Sequence, residues 1–302
     1  MASSTSPPRA GRERPRNRGS GKAPRAGGGA ARPPRRAGAG PWSRLPAVLR
    51  RTLLFAALVG LWQLYVAVAD VSPLVFSSPW DVAVALVEGW GSGALVGPTL
   101  TTLRILGFGM VIGMALALAL TALAVATRVG EDVLSLLTAM INPLPSVAVL
   151  PLAMLWFGLN ETALVFVVAN AVLWPMAVNL GTGFRTVPQT TLMVGRSLGL
   201  RGWRLIRDVH LPSALPHTVA GVKTGWAFGW RTIIAAELVF GVAGAQGGLG
   251  FFINNARFYL DIPDVFAGLV TIAVIGIALD LVFSVLERQT VVRWGMKQGA
   301  VT

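Results

Sequence analysis

Two ionisable side chains stand inside a long apolar run in the last third of the chain. Arg231 and Glu237 lie within residues 216–240, a stretch long enough to cross a lipid bilayer. An ionisable group in hydrocarbon is costly, so it usually lines a path or has a partner of opposite charge. Because a guanidinium presents several donors to an oxyanion, Arg231 predicts a binding point for a small oxyanion.

Aromatic and amide side chains near this position could complete such a path. Trp226 and Trp230 stand close to Arg231 in the same run and could wall the site. Asn170 and Trp174 lie one helical turn apart in the preceding apolar run. An asparagine in hydrocarbon needs a partner, so we expect Asn170 to face other helices or a pore.

The alternative role for these charges is structural. In that case Arg231 pairs with Glu237 or Asp280, and the two charges neutralise each other between helices. The sequence predicts no enzyme, because no clustered set of catalytic side chains is found. His210 and His217 are expected to be ordinary loop or interface residues rather than metal ligands. We therefore predict no metal site and no cofactor.

The composition is that of a membrane protein. Of the 302 residues 54% are hydrophobic and only 13% are charged, and the mean hydropathy is +0.64. The chain has no cysteine, which excludes disulfides and thiolate metal sites. It also has no credible phosphate-binding loop, so any ATP-driven work requires a separate protein.

The basic charge is concentrated at the N-terminus. The net charge is +13, and half of the 26 basic residues lie in residues 1–51 beside a single acidic residue, Glu13. We predict that residues 1–50, rich in Arg, Pro and Gly, form a disordered cytoplasmic tail. The alternative is that the tail holds anionic lipid or RNA. Since the body of the chain is nearly neutral, we expect no nucleic-acid partner.

The body, residues 51–302, is predicted to be an all-α membrane domain with about six spanning helices. Three prolines, Pro143, Pro145 and Pro151, interrupt the third span, which is therefore more suited to line a path than to face lipid. Basic residues cluster in alternate loops, so both termini are predicted to be cytoplasmic. The predicted spans are residues 53–69, 99–126, 133–157, 162–183, 216–240 and 264–286.

Glycines at regular spacing predict close helix packing. Gly109 and Gly113 form a pair four residues apart, and Gly221, Gly225 and Gly229 extend the same spacing over two turns. Such faces let a neighbouring backbone approach closely. We therefore expect both sets to lie at contacts between helices.

A charged loop, residues 186–213, separates the fourth and fifth spans. It is too polar to lie in lipid, and its glycines predict two short helices joined by a turn. In the second helix, Trp203, Ile206 and Val209 fall on one side and Arg201, Arg204 and Asp208 on another. Such a helix fits an apolar groove edged with acceptors, or it lies on anionic lipid.

The pattern of this loop resembles the EAA loop of ABC-importer permeases. Leu198-Gly199 followed by Leu211-Pro212 has the spacing of that motif, although Met193-Val194-Gly195 replaces its Glu-Ala-Ala triplet. Other segments are similar to the nitrate/sulfonate/taurine branch of these permeases, over roughly residues 55–297. They are Pro143 to Gly158, Trp230 to Glu237, Gly247 to Gly250 and Val265 to Gly268.

The resemblance implies a type I ABC importer permease fold in a bacterial inner membrane. It also implies a permease dimer, homodimeric by expectation, with ABC ATPase subunits inside and a solute-binding protein outside. Branch members carry nitrate, bicarbonate, alkanesulfonates or taurine by alternating access. An ion-coupled transporter or channel without an ATPase is the alternative. The residues expected to dock the ATPase are Met193, Gly199, Arg201, Trp203, Arg204, Ile206, Arg207, Leu211 and Pro212.

Overall fold

The computed structural model describes residues 46–69, 71–240 and 247–289, and these residues form helices joined by short turns. Most of the predicted tail, residues 1–45, lies outside them, as do residues 241–246 and 290–302. The predicted tail boundary at residue 50 falls inside the first helix. The helices are α1 (Ala47–Val68), α2 (Pro79–Gly91), α3 (Val96–Ala126), α4 (Arg128–Ile141), α5 (Leu150–Phe157), α6 (Glu161–Arg185), α7 (Gln189–Ser197), α8 (Trp203–Leu205), α9 (Leu211–Ser213), α10 (Leu215–Phe240), α11 (Leu249–Phe258) and α12 (Ile262–Glu287).

Four of these helices, α1, α3, α6 and α12, are long and apolar enough to cross a membrane. The bent pair formed by α4 and residues Ser146–Phe157, whose two parts meet at 93°, has the composition of a broken span or a re-entrant loop. The bend coincides with the predicted proline break. Helix α10 has 26 residues, about 39 Å of helix, but Lys223, Arg231 and Glu237 make it less apolar. Four or, with the bent pair, five of the six predicted crossings are therefore apolar enough to span a membrane among the described residues, and the crossing by α10 stays a prediction.

The proline break has a direct backbone cause. Helix α4 ends at Ile141, and Pro143 and Pro145 follow before a single 3₁₀ turn, Ser146–Val149. A proline cannot donate a backbone hydrogen bond and disfavours helical geometry in the residue before it. The chain therefore turns at this point, and Pro151 is tolerated because it stands in the first turn of α5.

Helix α6 is the centre of the fold and packs between α3 and α10. On one side, a Cβ added at Gly113 would lie 2.6 Å from the Ala169 carbonyl oxygen. On the other, a Cβ added at Gly225 would lie 3.0 Å from Val172 Cγ1. Val172 thus fills the space left by glycines on both neighbours. The remaining glycines of the two sets, Gly109, Gly221 and Gly229, also face α6 side chains.

The spanning helices differ sharply in how much of their surface the chain itself covers. The apolar window of α6 is 67% buried, whereas that of α12 is 6% buried and that of α1 is not buried. Large apolar side chains such as Leu58 and Ile277 are more than 60% exposed. These faces must contact lipid or another protein, because exposing so much apolar surface to water is unfavourable.

Two charges on the spans have partners from distant segments. Arg104 of α3 forms a salt bridge with Glu161 at the start of α6. Lys223 of α10 donates to Ser284 Oγ at 3.1 Å and lies 3.5 Å from Glu287 Oε2. Each pair joins the ends of two helices, α3 to α6 and α10 to α12.

Candidate functional site

A cavity of about 330 Å³ lies between α6, α10 and the bend after α4. Its polar lining consists of Asn142, Ser146, Asn170, Arg231 and Thr232. The volume is at the lower end of the range for small-molecule sites, roughly 300–1,000 Å³. The cavity therefore fits a small solute that interacts with one cation and several neutral polar groups.

Helix α6 positions two of the predicted path residues in this cavity. Trp174 Nε1 donates to Asn170 Oδ1 at 3.0 Å, one helical turn away. This bond uses one lone pair of the amide oxygen and leaves both donors of the amide NH₂ group for a solute. Pro175 also lines the cavity and has no N–H, so the Ala171 carbonyl beside the cavity loses its usual helical donor.

Arg231 is exposed to this cavity and forms no salt bridge with Glu237 or Asp280. The structural pair weighed as the alternative role is therefore wrong. Arg231 and Glu237 are six positions apart, which puts them about 120° apart around the helix axis. Arg231 faces the cavity, whereas Glu237 faces α3 and α11.

Glu237 is 2% exposed and joins three helices. Its carboxylate accepts from Thr102 Oγ1 of α3 at 2.9 and 3.0 Å, and from Gly250 N of α11 at 2.9 Å. Thr102 Oγ1 in turn accepts from Leu249 N at 2.8 Å. The carboxylate therefore joins helices in this structure, and its assignment to the substrate path stays a prediction.

The two tryptophans of α10 lie away from the cavity beside Arg231. Trp226 and Trp230 are 5% and 8% exposed, and their rings stack with centroids 5.4 Å apart. Trp226 also contacts Phe283 of α12, at 5.6 Å between ring centroids. Both rings lie in the core and do not line the cavity beside Arg231, because they point from α10 toward α12.

The charged loop, residues 186–213, forms two short helical segments, as predicted. Helix α7 ends at a turn in which Gly199 and Gly202 have φ values of +81° and +53°. Left-handed backbone of this kind favours glycine. Gly195 of α7 lies against the second segment, since an added Cβ would meet Val209 Cγ2 at 3.0 Å and Leu205 Cδ1 at 3.1 Å.

The second segment runs from α8 to α9 and contains five residues of π-helix, Ile206–His210. This wider turn precedes Pro212, which has no N–H to continue an α-helix. Ala214 N then donates to the His210 carbonyl at 2.9 Å. The segment therefore leads into α10 without a sharp break.

The exposed side chains of this loop differ from the predicted set. Met193 and Trp203 are each 60% exposed and Leu198 is 75% exposed. Ile206 and Leu211 instead pack against the buried cluster that contains Leu180 and Phe184. Both are partly buried by the chain itself, and their docking roles stay a prediction. Arg201, Arg204, Arg207 and Pro212 are exposed.

Several residues that line the cavity or hydrogen-bond to Glu237 were not predicted from the sequence. Thr102, Asn142 and Thr232 are single polar residues within apolar or proline-rich stretches, and nothing in their local pattern distinguishes them. Thr102 and Glu237 are 135 positions apart. Among the described residues, no group of three His, Asp or Glu side chains is arranged to hold a metal ion.

Residues 109–292 match the family model of the binding-protein-dependent transport system inner membrane component. The chain belongs to this family. The permease is 30% identical over 247 residues to the taurine transport system permease protein TauC of Escherichia coli strain K12, with 78% of this chain and 86% of that protein covered. It is 33% identical over 250 residues to the riboflavin transport system permease protein RibX of Chloroflexus aurantiacus, with coverages of 83% and 89%.

The fold also has a counterpart among solved structures. A crystal structure of an amino acid ABC transporter with histidines gives a TM-score of 0.52 at 20% identity, covering 69% of this chain and 97% of that chain. The permease is thus the membrane subunit of an ABC importer and a multi-pass protein of the inner membrane. Its family is a transport family that works with an ATPase and a solute-binding protein.

Proposed function

We propose that the permease carries a small oxyanion of the nitrate, sulfonate, taurine or bicarbonate class through the cavity beside Arg231. The observation that carries this proposal is an arginine that lines a small cavity and has no carboxylate partner among the described residues. A cation left without a counter-ion in a membrane domain is costly. An anionic solute removes that cost while it is bound, which favours anions over neutral solutes of the same size.

The neighbouring groups suit the same chemistry. The Asn170 amide NH₂ and the Thr232 hydroxyl are donors, and Arg231 supplies a planar fork of donors. Planar nitrate and tetrahedral sulfonate both present several acceptor oxygens to such a set. Trp174 and Pro175 provide apolar walls that fit the short carbon chain of taurine.

The orientation follows from charge. We propose that both termini and the charged loop are cytoplasmic, because Arg128, Arg185 and the loop arginines lie at one end of the spans. Glu161 then lies on the outer side of the membrane, as does the start of α12, where Asp261 is the N-cap. A solute-binding protein would approach the outer end.

The charged loop is the proposed docking site for the ATPase. Met193, Leu198 and Trp203 expose apolar surface on an element that also carries Arg201, Arg204 and Arg207. An apolar anchor surrounded by cations matches a groove with acidic edges. Closure of two ATPase subunits would move this loop and, through α10, the wall of the cavity that bears Arg231.

The exposed spans are proposed to contact a second permease copy and lipid. Helices α1 and α12 expose almost their whole apolar surface. A homodimer would cover part of it, and membrane lipid the remainder.

Uptake into proteoliposomes tests the proposal directly. The permease is reconstituted with its ATPase and solute-binding protein, and uptake of taurine, nitrate and riboflavin is compared. We expect ATP-dependent uptake of an oxyanion, lowered by roughly tenfold to a hundredfold in Arg231→Gln because a charge-assisted interaction is lost. Arg231→Lys should retain part of the activity, since the charge remains.

Arg288→Gln is the matched control, because Arg288 is exposed at the end of α12 and outside the cavity. It should transport like the unmodified protein. If Arg231→Gln takes up the oxyanion as well as the unmodified protein does, the proposed role of Arg231 is contradicted. Uptake of riboflavin but of no oxyanion would contradict the proposed solute class. Uptake by the permease alone without ATP would instead select the ion-coupled transporter or channel.

A further inference from the structure

A second and larger cavity, of about 820 Å³, lies between the charged loop and the ends of the spans that meet it. It is bounded by the end of α3, the start of α4, the end of α6, helix α7 and the π-helical segment. It is separate from the cavity beside Arg231, with which it shares no lining residue. Its walls are the body of the permease on one side and the proposed ATPase-docking loop on the other.

The lining of this cavity, here called the inner basic cavity, is strongly cationic. Arg128, Arg185, Arg196 and Arg201 line it together with one carboxylate, Glu131. Arg185 Nη1 lies 3.7 Å from Glu131 Oε1, so this pair is largely neutral. Within the described residues, Arg128, Arg196 and Arg201 take part in no salt bridge. Three cations are therefore left without a counter-ion around one cavity.

His210 also lines the inner basic cavity. It is 6% exposed, and its ring lies 5.3 Å from the Phe184 ring. Its Nδ1 atom is buried and has no hydrogen-bond partner among the described residues. Because Nδ1 has almost no accessible surface, it is closed off from the cavity, and the arginines are the groups that would hold a ligand.

We propose that the inner basic cavity binds a phosphate-bearing anion, either the head group of an anionic phospholipid or a soluble phosphate. Three arginines without partners match a phosphate group, which carries up to two negative charges and several acceptor oxygens. A sulfonate of the transported class carries one charge and would leave more of this cationic lining without a counter-ion. The cavity lies beside the ends of spanning helices, where both lipid head groups and cytoplasmic solutes have access.

The consequence of binding is mechanical. An anion held by Arg128 of α4 and Arg196 of α7 links the body of the permease to the docking loop. That link would stiffen the loop through which the ATPase acts. Binding would therefore tune how efficiently ATPase closure moves α10, without any contact with the solute.

Thermal unfolding of the purified full chain in a maltoside detergent tests the site. Inorganic phosphate is titrated against sodium chloride and against taurine at matched ionic strength. In a second arm, nanodiscs of phosphatidylglycerol are compared with nanodiscs of phosphatidylcholine. Stabilisation by phosphate in detergent identifies a soluble ligand, and stabilisation by phosphatidylglycerol alone identifies a lipid head group. Either result supports the proposal.

Arg196→Gln should raise the apparent Kd for the stabilising anion about tenfold, because one charge-assisted contact is lost. Arg288→Gln removes the same charge from the end of α12, outside the cavity, and should leave the Kd unchanged. If Arg196→Gln does not fold, Arg128→Gln is measured by line broadening of the ³¹P signal of added phosphate.

Three results would overturn the proposal. The first is equal stabilisation by chloride and phosphate, which would indicate ionic strength alone. The second is equal stabilisation by taurine, which would make the cavity an exit route for the solute. The third is loss of affinity in Arg288→Gln as large as that in Arg196→Gln. Because the assay contains neither ATPase nor solute-binding protein, its outcome does not depend on the proposed function.

Discussion

Thr102 Oγ1 lies 2.9 and 3.0 Å from the two carboxylate oxygens of Glu237, which joins α3 to α10 at the end of α10 opposite the docking loop. Gly250 N completes the set from α11, at 2.9 Å. Thr102 is fully buried, so no solvent competes for these bonds. An added Cβ at Gly248 would clash with both Glu237 and Thr102, which explains the glycine at this position.

Glu237→Gln should destabilise the permease by about 1–3 kcal/mol, because one acceptor becomes a donor facing other donors. Thr102→Val should cost a similar amount, since it leaves Leu249 N without its acceptor. The double variant should cost less than the sum, because the two side chains share bonds. Thermal unfolding in detergent gives the three values.

Glu161→Gln is the control for the two single variants and the double variant at Thr102 and Glu237. Glu161 also pairs with a residue of α3, but both partners are about half exposed. Exposed pairs contribute roughly 0–1 kcal/mol, so this change should alter the melting temperature little. If the losses of stability in Glu237→Gln and Thr102→Val simply add in the double variant, the two buried side chains do not stabilise the fold cooperatively.

Glycine substitutions test the central position of α6. In Gly113→Ala the new Cβ would lie 2.6 Å from the Ala169 carbonyl oxygen, which is backbone and cannot move aside. We expect a loss of about 1–3 kcal/mol from overpacking. Gly107→Ala on the same helix has open space and should be neutral or stabilising by up to about 1 kcal/mol. Equal melting temperatures of the two variants would argue against close packing of α3 on α6.

The sequence predicted the helices better than it predicted side-chain directions. Apolar length and the Pro143 and Pro145 break were enough to locate the spans, because bilayer thickness and backbone hydrogen bonding dictate them. Helical spacing alone could not decide whether Trp226 faces a path or the core, since that depends on the position of α12. The hydrogen bond between Thr102 and Glu237 was not predictable either, because a contact between positions 135 apart leaves no local pattern in the sequence.

The free energy of unfolding of the permease should decrease as the pH drops below about 6.5, the ordinary pKa of histidine, because of His210. Burial lowers the pKa of His210, and repulsion by Arg196 lowers it further. The unfolded chain then binds the proton more tightly than the folded one, so protons favour unfolding between the two pKa values and stability is lost as the pH falls through that window.

Melting temperatures from pH 8 to 5.5, in buffers without phosphate, measure this effect. The decrease should be smaller in His210→Gln, which does not titrate in that range. Arg196→Gln should also reduce it, because the repulsion is removed while the burial remains. An unchanged pH profile in His210→Gln would assign the loss to other groups.

Trp203 is the strongest test of the docking loop, because its side chain is 60% exposed and has few contacts to lose within the permease. Trp203→Glu should abolish ATPase-driven uptake, since a buried apolar anchor at an interface contributes about 2–4 kcal/mol and a carboxylate would be desolvated in its place. The melting temperature of the isolated permease should hardly change. Trp203→Phe should restore most of the uptake, as it keeps an aromatic anchor. Co-purification with the ATPase distinguishes lost docking from lost transport, and wild-type uptake by Trp203→Glu would exclude this surface as the site where the ATPase acts.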